Sequence, residues 1–171
     1  MKALIFLIPE GFRDEEFSVP KDRLKAAGVS VTVAGLQLGK ARGVLGMTAV
    51  PDILLNDVRV DDYDVFILPG GGGSARHLFN NLKVHSIIKE AYSKGKVVAA
   101  ICLSGAVLAN AGIMKDKNAT VFSTPQTLKI FRDAGVKYSD KHVVVDGRIV
   151  TADGPEAAEA FADAILSLLG I

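Results

Sequence analysis

The chain has 171 residues, 49% hydrophobic and 23% charged, a globular balance that supports one buried core and excludes a disordered tail. Twenty basic residues against nineteen acidic ones leave a net charge of +1, with no cation excess to hold a nucleic-acid backbone or an acidic membrane. A single cysteine excludes an intrachain disulfide and a thiolate metal cluster, and no apolar run reaches the roughly 18 residues that span a bilayer, so the expectation is a reduced, cytoplasmic protein.

In chain order, Ala3 to Ile8 is a continuous apolar run ended by Pro9 and Gly11, the pattern of a strand buried on both faces. Arg13 to Ala27 reads as a helix with Asp14, Glu15 and Glu16 in its first turn, Pro20 as a bend or restart, and Gly28 as its stop. Val29 to Ala34 (VSVTVA) is the second strand. Gly35 to Val60 carries four glycines and Pro51 and reads as a hairpin or irregular excursion. Asp64 to Leu68 is a buried strand that runs into Pro69 and the glycines Gly70 to Gly73. A helix is expected over Leu78 to Lys94, a strand over Val97 to Ile101, and a helical run from Cys102 to Ala111. Ala119 to Phe122 reads as a short strand and Gln126 to Ala134 as a helix. Asp146-Gly147 between two β-branched runs is a hairpin signal. The last helix opens at Gly154-Pro155 and carries an apolar stripe of Ala157, Phe161, Ile165 and Leu168.

Alternating strands and helices predict an α/β sandwich with a largely parallel sheet, in which ligands bind beyond the carboxyl ends of the strands. That rule directs attention to Pro9–Glu16, Pro69–Ser74 and Cys102. A cysteine between a strand and a helix start sits at an elbow, and the helix N-terminus favours its thiolate; the expectation is a thiol pKa below the usual 8.5 or so. The plain alternative is a small buried hydrophobe. Backbone N–H groups of Gly71, Gly72 and Leu103 are candidates for an oxyanion hole. Glu16 is a candidate proton donor to the sulfur, set against the simpler reading of an acidic first turn. His77 follows the glycine loop and is a possible site member, His85 is expected on an exposed helix face, and His142 precedes the hairpin strand. No carboxylate–histidine spacing suggests a metal site.

Five segments together resemble the ThiJ/PfpI superfamily, which contains the Parkinson's-disease protein deglycase and an archaeal intracellular protease. They are Glu16 four residues before Pro20, LKAAGVSVTVAG (Leu24 to Gly35), YDVFILPGG (Tyr63 to Gly71), KVVAAIC (Lys96 to Cys102) and VVVDGRIVTADGP (Val143 to Pro155). The resemblance covers nearly the whole chain and implies a single domain over residues 1–171. It further implies a flavodoxin-like three-layer sandwich, a homodimer or higher homo-oligomer, and no cofactor. Cys102 would be the reactive elbow cysteine, sensitive to oxidation, and Glu16 the acid hydrogen-bonded to it. The chain also departs from the family. Leu103 stands where the protease branch has a histidine, Ser104-Gly105 replace Gly-Pro, Ala75 replaces a loop glutamate, and Thr124 replaces the histidine before Pro125 in the deglycase branch. Missing bases weigh against peptidase chemistry, and the deglycase-type branch is the nearer.

The expected function is therefore a glyoxalase- or deglycase-type enzyme acting on small α-oxoaldehydes or glycated substrates. The alternatives are a PfpI-type cysteine peptidase or amidase, and a non-catalytic redox-sensing or chaperone protein. Thr124 and His77 are carried as possible site residues.

Overall fold

The computed structural model describes residues 1–171. Its strands are β1 (Lys2–Leu7), β2 (Glu10–Phe12), β3 (Ser30–Gly35), β4 (Ala41–Gly43), β5 (Thr48–Ala49), β6 (Ile53–Leu54), β7 (Val65–Leu68), β8 (Val97–Ile101), β9 (Asn118–Ala119), β10 (Lys137–Tyr138), β11 (Val143–Asp146) and β12 (Ile149–Ala152). Its helices are α1 (Asp14–Ala26), α2 (Ser74–His77), α3 (Leu82–Ser93), α4 (Gly105–Asn110), α5 (Pro125–Asp133) and α6 (Ala158–Leu169). Seven strands form the central sheet in the order β11-β12-β8-β7-β1-β3-β6, and only β11 runs antiparallel. α1 packs on α6 as one layer, while α3 on α4 and α4 on α5 build the other.

The apolar runs become the middle of this sheet for a simple reason. Every residue of β7 and β8 is buried, as are Ala3 to Leu7 of β1, and strands covered on both faces need no polar alternation. The last helix contributes Phe161 and Ile165, both fully buried, with Leu169 rather than Leu168 completing the stripe. No helix is long and apolar enough to cross a membrane.

Several boundaries differ from the sequence reading. Pro20 lies inside an unbroken α1; it deletes the N–H that would have bonded the carbonyl of Glu16, but packing of the buried Phe17, Pro20 and Leu24 holds the helix together. α3 starts four residues later than expected, because Asn81 caps it by accepting from the N–H groups of Lys83 and Val84. The strand expected at Ala119 to Phe122 shortens to β9 and pairs with β10 outside the main sheet.

The ambiguous glycine-rich stretch holds a hairpin, β4–β5, which joins β2 as a small second sheet. Asp14 fixes it in place. Its buried carboxylate accepts from the N–H groups of Leu45 (3.1 Å) and Met47 (2.9 Å), and Gly43 is glycine because a Cβ there would strike that carboxylate. Removing a charged acceptor leaves two part-buried donors unpaired, at about 1–3 kcal/mol each. Asp14→Ala is expected to lower the thermal midpoint by roughly 4–8 °C, with the 41–49 segment losing amide-exchange protection first. A midpoint within a degree of wild type would show that the clamp is not needed.

Candidate active site

The parallel register sets the carboxyl ends of β7, β8 and β12 side by side, with Leu68 opposite Ala100 and Ile101 opposite Ala152. Cys102 follows β8 directly and has φ of 60°, a left-handed conformation that costs a non-glycine residue about 1–3 kcal/mol. The turn that follows, Cys102–Ser104, is a 3₁₀ turn leading into the six-residue α4. Side chains beneath the turn hold it. The Ser104 hydroxyl donates to the Pro69 carbonyl at 2.6 Å and lies 3.1 Å from the Ser74 hydroxyl, all of it buried.

The glycine loop and Glu16 meet the elbow at Gly70. A Cβ built on Gly70 would lie 2.7 Å from both the Cys102 Cβ and the Glu16 Oε2, and 2.6 Å from the Ile101 carbonyl. No other residue fits there. The Gly70 N–H donates to Glu16 Oε2 at 2.9 Å. Glu16 is fully buried, and its Oε1 has no partner among the fixed donors of the fold, which leaves the Cys102 thiol to bond the carboxyl. Burial raises the Glu16 pKa to about 7, against the hydrogen bonds from Cys102 and Gly70.

Cys102 is 8% exposed, and its thiol departs from the sequence expectation. Burial first, then the neighbouring Glu16 carboxylate, push it up to about 12, outweighing the N–H groups of Leu103 and Gly71 that bond the sulfur. A depressed value needed an exposed sulfur at a long helix dipole, and neither is present. The two acids form a coupled pair that titrates as a unit. At neutral pH the thiol carries its proton while the carboxyl beside it is close to half-ionised.

The remaining candidates distribute around this pair. Gly71 (φ of 109°) is locked between the Gly11 carbonyl and the Arg13 N–H. Its N–H and that of Leu103 bond the sulfur. The Gly72 N–H bonds no backbone carbonyl, and its α-carbon faces open space. It lines a cavity of about 440 Å³ with Glu10, Gly11 and Arg76. The Thr124 hydroxyl is taken up in capping α5, where it accepts from the Thr127 N–H at 3.0 Å. His77 lies beyond the glycine loop with Nε2 3.9 Å from Glu10 and no hydrogen bond. His85 is buried, contrary to expectation; its Nε2 sits 2.8 Å from the Phe79 carbonyl and burial lowers its pKa.

A second cavity, of about 410 Å³, opens beyond the ends of β11 and β12. Phe122 in its wall donates its N–H to the Cys102 carbonyl at 3.1 Å. Its rim carries His142 and Asp153, whose Nδ1 and Oδ2 are 2.9 Å apart. This pairing was readable beforehand. The two-residue turn after Asp146 sets Val143 opposite Ala152, and one further step along the ladder sets His142 opposite Asp153.

The comparisons agree with this architecture. The model of the DJ-1/PfpI family matches residues 1–168. An uncharacterised Methanocaldococcus jannaschii protein is 40% identical over 168 residues, covering 98% of this chain and 82% of its own. A Thermococcus kodakarensis protein named a deglycase is 36% identical over 169 residues, covering 99% of both. A Caenorhabditis elegans protein named a glutathione-independent glyoxalase is 31% identical over 167 residues, covering 98% of this chain and 88% of its own. Among solved structures, a ThiJ/PfpI domain protein from Brachyspira murdochii superposes with a TM-score of 0.94 at 29% identity, covering 99% of this chain and 96% of its own. With elbow, glycine loop and buried glutamate on one sheet edge, and a family match over almost its full length, the chain belongs to the DJ-1/PfpI family.

Proposed function

We propose that the protein is a cysteine-dependent enzyme of the glyoxalase or deglycase type, acting on α-oxoaldehydes or their adducts. The observation that carries this reading is the buried contact of Cys102 with a carboxyl whose pKa is about 7. Relatives named deglycase and glyoxalase support it.

A thiol near 12 needs a base in contact, and a carboxylate near 7 is ionised often enough at neutral pH to serve. Glu16 takes the thiol proton as sulfur bonds to the aldehyde carbon, then delivers it to the new oxygen, giving a hemithioacetal. The Gly72 N–H, which bonds no backbone carbonyl, is the donor assigned to that oxygen while it is charged. Glu16 next removes the proton on the sulfur-bearing carbon, giving an enediol, and returns it to the neighbouring carbon while the hydroxyl proton passes from the first oxygen to the second, leaving a 2-hydroxy thioester. Water then splits the thioester into 2-hydroxy acid and free thiol. The sum is oxoaldehyde plus water to hydroxy acid, with no external oxidant or reductant.

Wild type incubated with methylglyoxal is expected to consume it and form lactate, with Cys102→Ala inactive in both measurements and casein peptides left intact by both proteins. Lactate formation that survives Cys102→Ala would end the proposal, and cysteine-dependent peptide cleavage would replace it with the peptidase reading.

The pH dependence has a definite sign. Raising the pH ionises Glu16 and supplies the base, so alkylation of Cys102 by iodoacetamide should accelerate through an inflection near 7, well below the thiol's own titration. In Glu16→Gln that inflection should vanish and the neutral rate should fall at least tenfold. A wild-type profile that rises only above pH 10 would remove Glu16 from its role.

We also infer that the protein self-associates through the hairpin β4–β5. Its tip exposes Val44 and Leu45, apolar side chains next to the Asp14 clamp. Light scattering should give twice the chain mass for wild type and a shift to monomer for Leu45→Asp. A wild type that stays at 18.1 kDa at every concentration would refute the interface.

A further inference from the structure

We propose that His142, oriented by Asp153, is the general base that hydrolyses acyl groups from Cys102, a role that rests on the thioester step above. That step needs a base with access to water. Glu16 is fully buried, Leu103 cannot accept a proton, and the Thr124 hydroxyl is tied up in a cap. Of the three histidines, His85 is held on the Phe79 carbonyl, and His77 lies across the glycine loop with its Nε2 enclosed beside Glu10.

His142 differs on each count. Its side chain is 84% exposed. Asp153 accepts at 2.9 Å from Nδ1, which fixes the proton on that nitrogen and leaves the lone pair on Nε2 for a water. Asp153 follows β12, level with Cys102 after β8, and its N–H bonds the His142 carbonyl at 3.1 Å. Cys102 and His142 thus flank β12 on its two neighbouring strands, about two strand spacings or 10 Å apart, a span within reach of an imidazole acting through water. The cavity of about 410 Å³ has His142 and Asp153 on its rim, and Phe122 of its wall donates its N–H to the Cys102 carbonyl. The geometry is that of a base on the opposite side of the thiol from the glycine loop.

The step balances without a co-reactant. A water oxygen bonds to the thioester carbon while its proton passes to His142 Nε2. The tetrahedral intermediate then breaks its C–S bond, the electron pair leaves with sulfur, and the imidazolium proton returns to it. The products are a carboxylic acid and the thiol.

The test acylates Cys102 with p-nitrophenyl acetate, following p-nitrophenolate for acylation and acetate for deacylation, with methylglyoxal turnover measured in parallel. Wild type should turn over the ester repeatedly. His142→Ala should release one equivalent of p-nitrophenolate and then stall, deacylation falling at least 100-fold, and added imidazole should restore it. Asp153→Asn should stall in the same way at unchanged acylation. Equal steady-state rates in wild type and His142→Ala, or a stall that imidazole does not relieve, would overturn the assignment, and so would a wild type that never acylates. Ester turnover that depends on His142 alongside no loss of methylglyoxal would keep this base and discard the glyoxalase reading instead.

Discussion

The site depends on one steric constraint, the room left by a missing methyl group at Gly70. Three chain segments converge there: the end of β8 with Cys102, the first turn of α1 with Glu16, and the loop after β7. Because glycine lets the loop pass between sulfur and carboxyl, its N–H can bind Glu16 while the next N–H binds the sulfur. Any side chain at that point would part the two acids and break their coupling. The surrounding architecture keeps this meeting rigid. Ser104 ties the elbow to the Pro69 carbonyl one residue before Gly70, and the Arg13 N–H donates to the Gly70 carbonyl at 2.9 Å from the start of α1.

The two cavities stand on either side of that junction. On the β7 side the glycine loop lines a cavity with a Gly72 N–H that bonds no backbone carbonyl. On the β12 side the wall is aromatic and polar and reaches solvent. Cys102 lies between them, because β8 lies between β7 and β12 in the sheet. Strand order thereby sets the two openings on opposite flanks of the elbow.

Much of this was legible in the sequence, for reasons that differ by residue. The runs Ala3 to Ile8 and Val97 to Ile101 announced the central strands because double-sided burial removes polar alternation. Cys102, Glu16 and the glycine loop stood out because they follow strand ends, and the family pattern then joined them. The direction of the thiol's pKa was lost because it was inferred from a helix start alone. Sequence shows a helix start, but not that it is one 3₁₀ turn over a sulfur with 8% exposure. His85 was misread because its burial comes from tertiary contact with the Phe79 carbonyl, 2.8 Å away, which helix periodicity does not encode. Pro20 was overvalued as a breaker because local propensity yields to packing.

The buried carboxyl that equips the elbow also sets a direction for the whole fold's response to acid. A free glutamate ionises near 4.5, whereas Glu16 does so near 7, so folding favours its protonated form. The associated stability is fully present below about 4.5 and is lost as the pH climbs through 7, a difference of about 3 kcal/mol. Most acidic side chains push a protein the other way, since pairing lowers their pKa and acid removes the benefit. Here one residue contributes less at neutral and alkaline pH than in acid. Glu15, Asp61, Asp133 and Asp146 are held below their ordinary values by their partners and pull the other way, so Glu16 stands as the one carboxyl whose contribution to stability is spent where its ionised form is available.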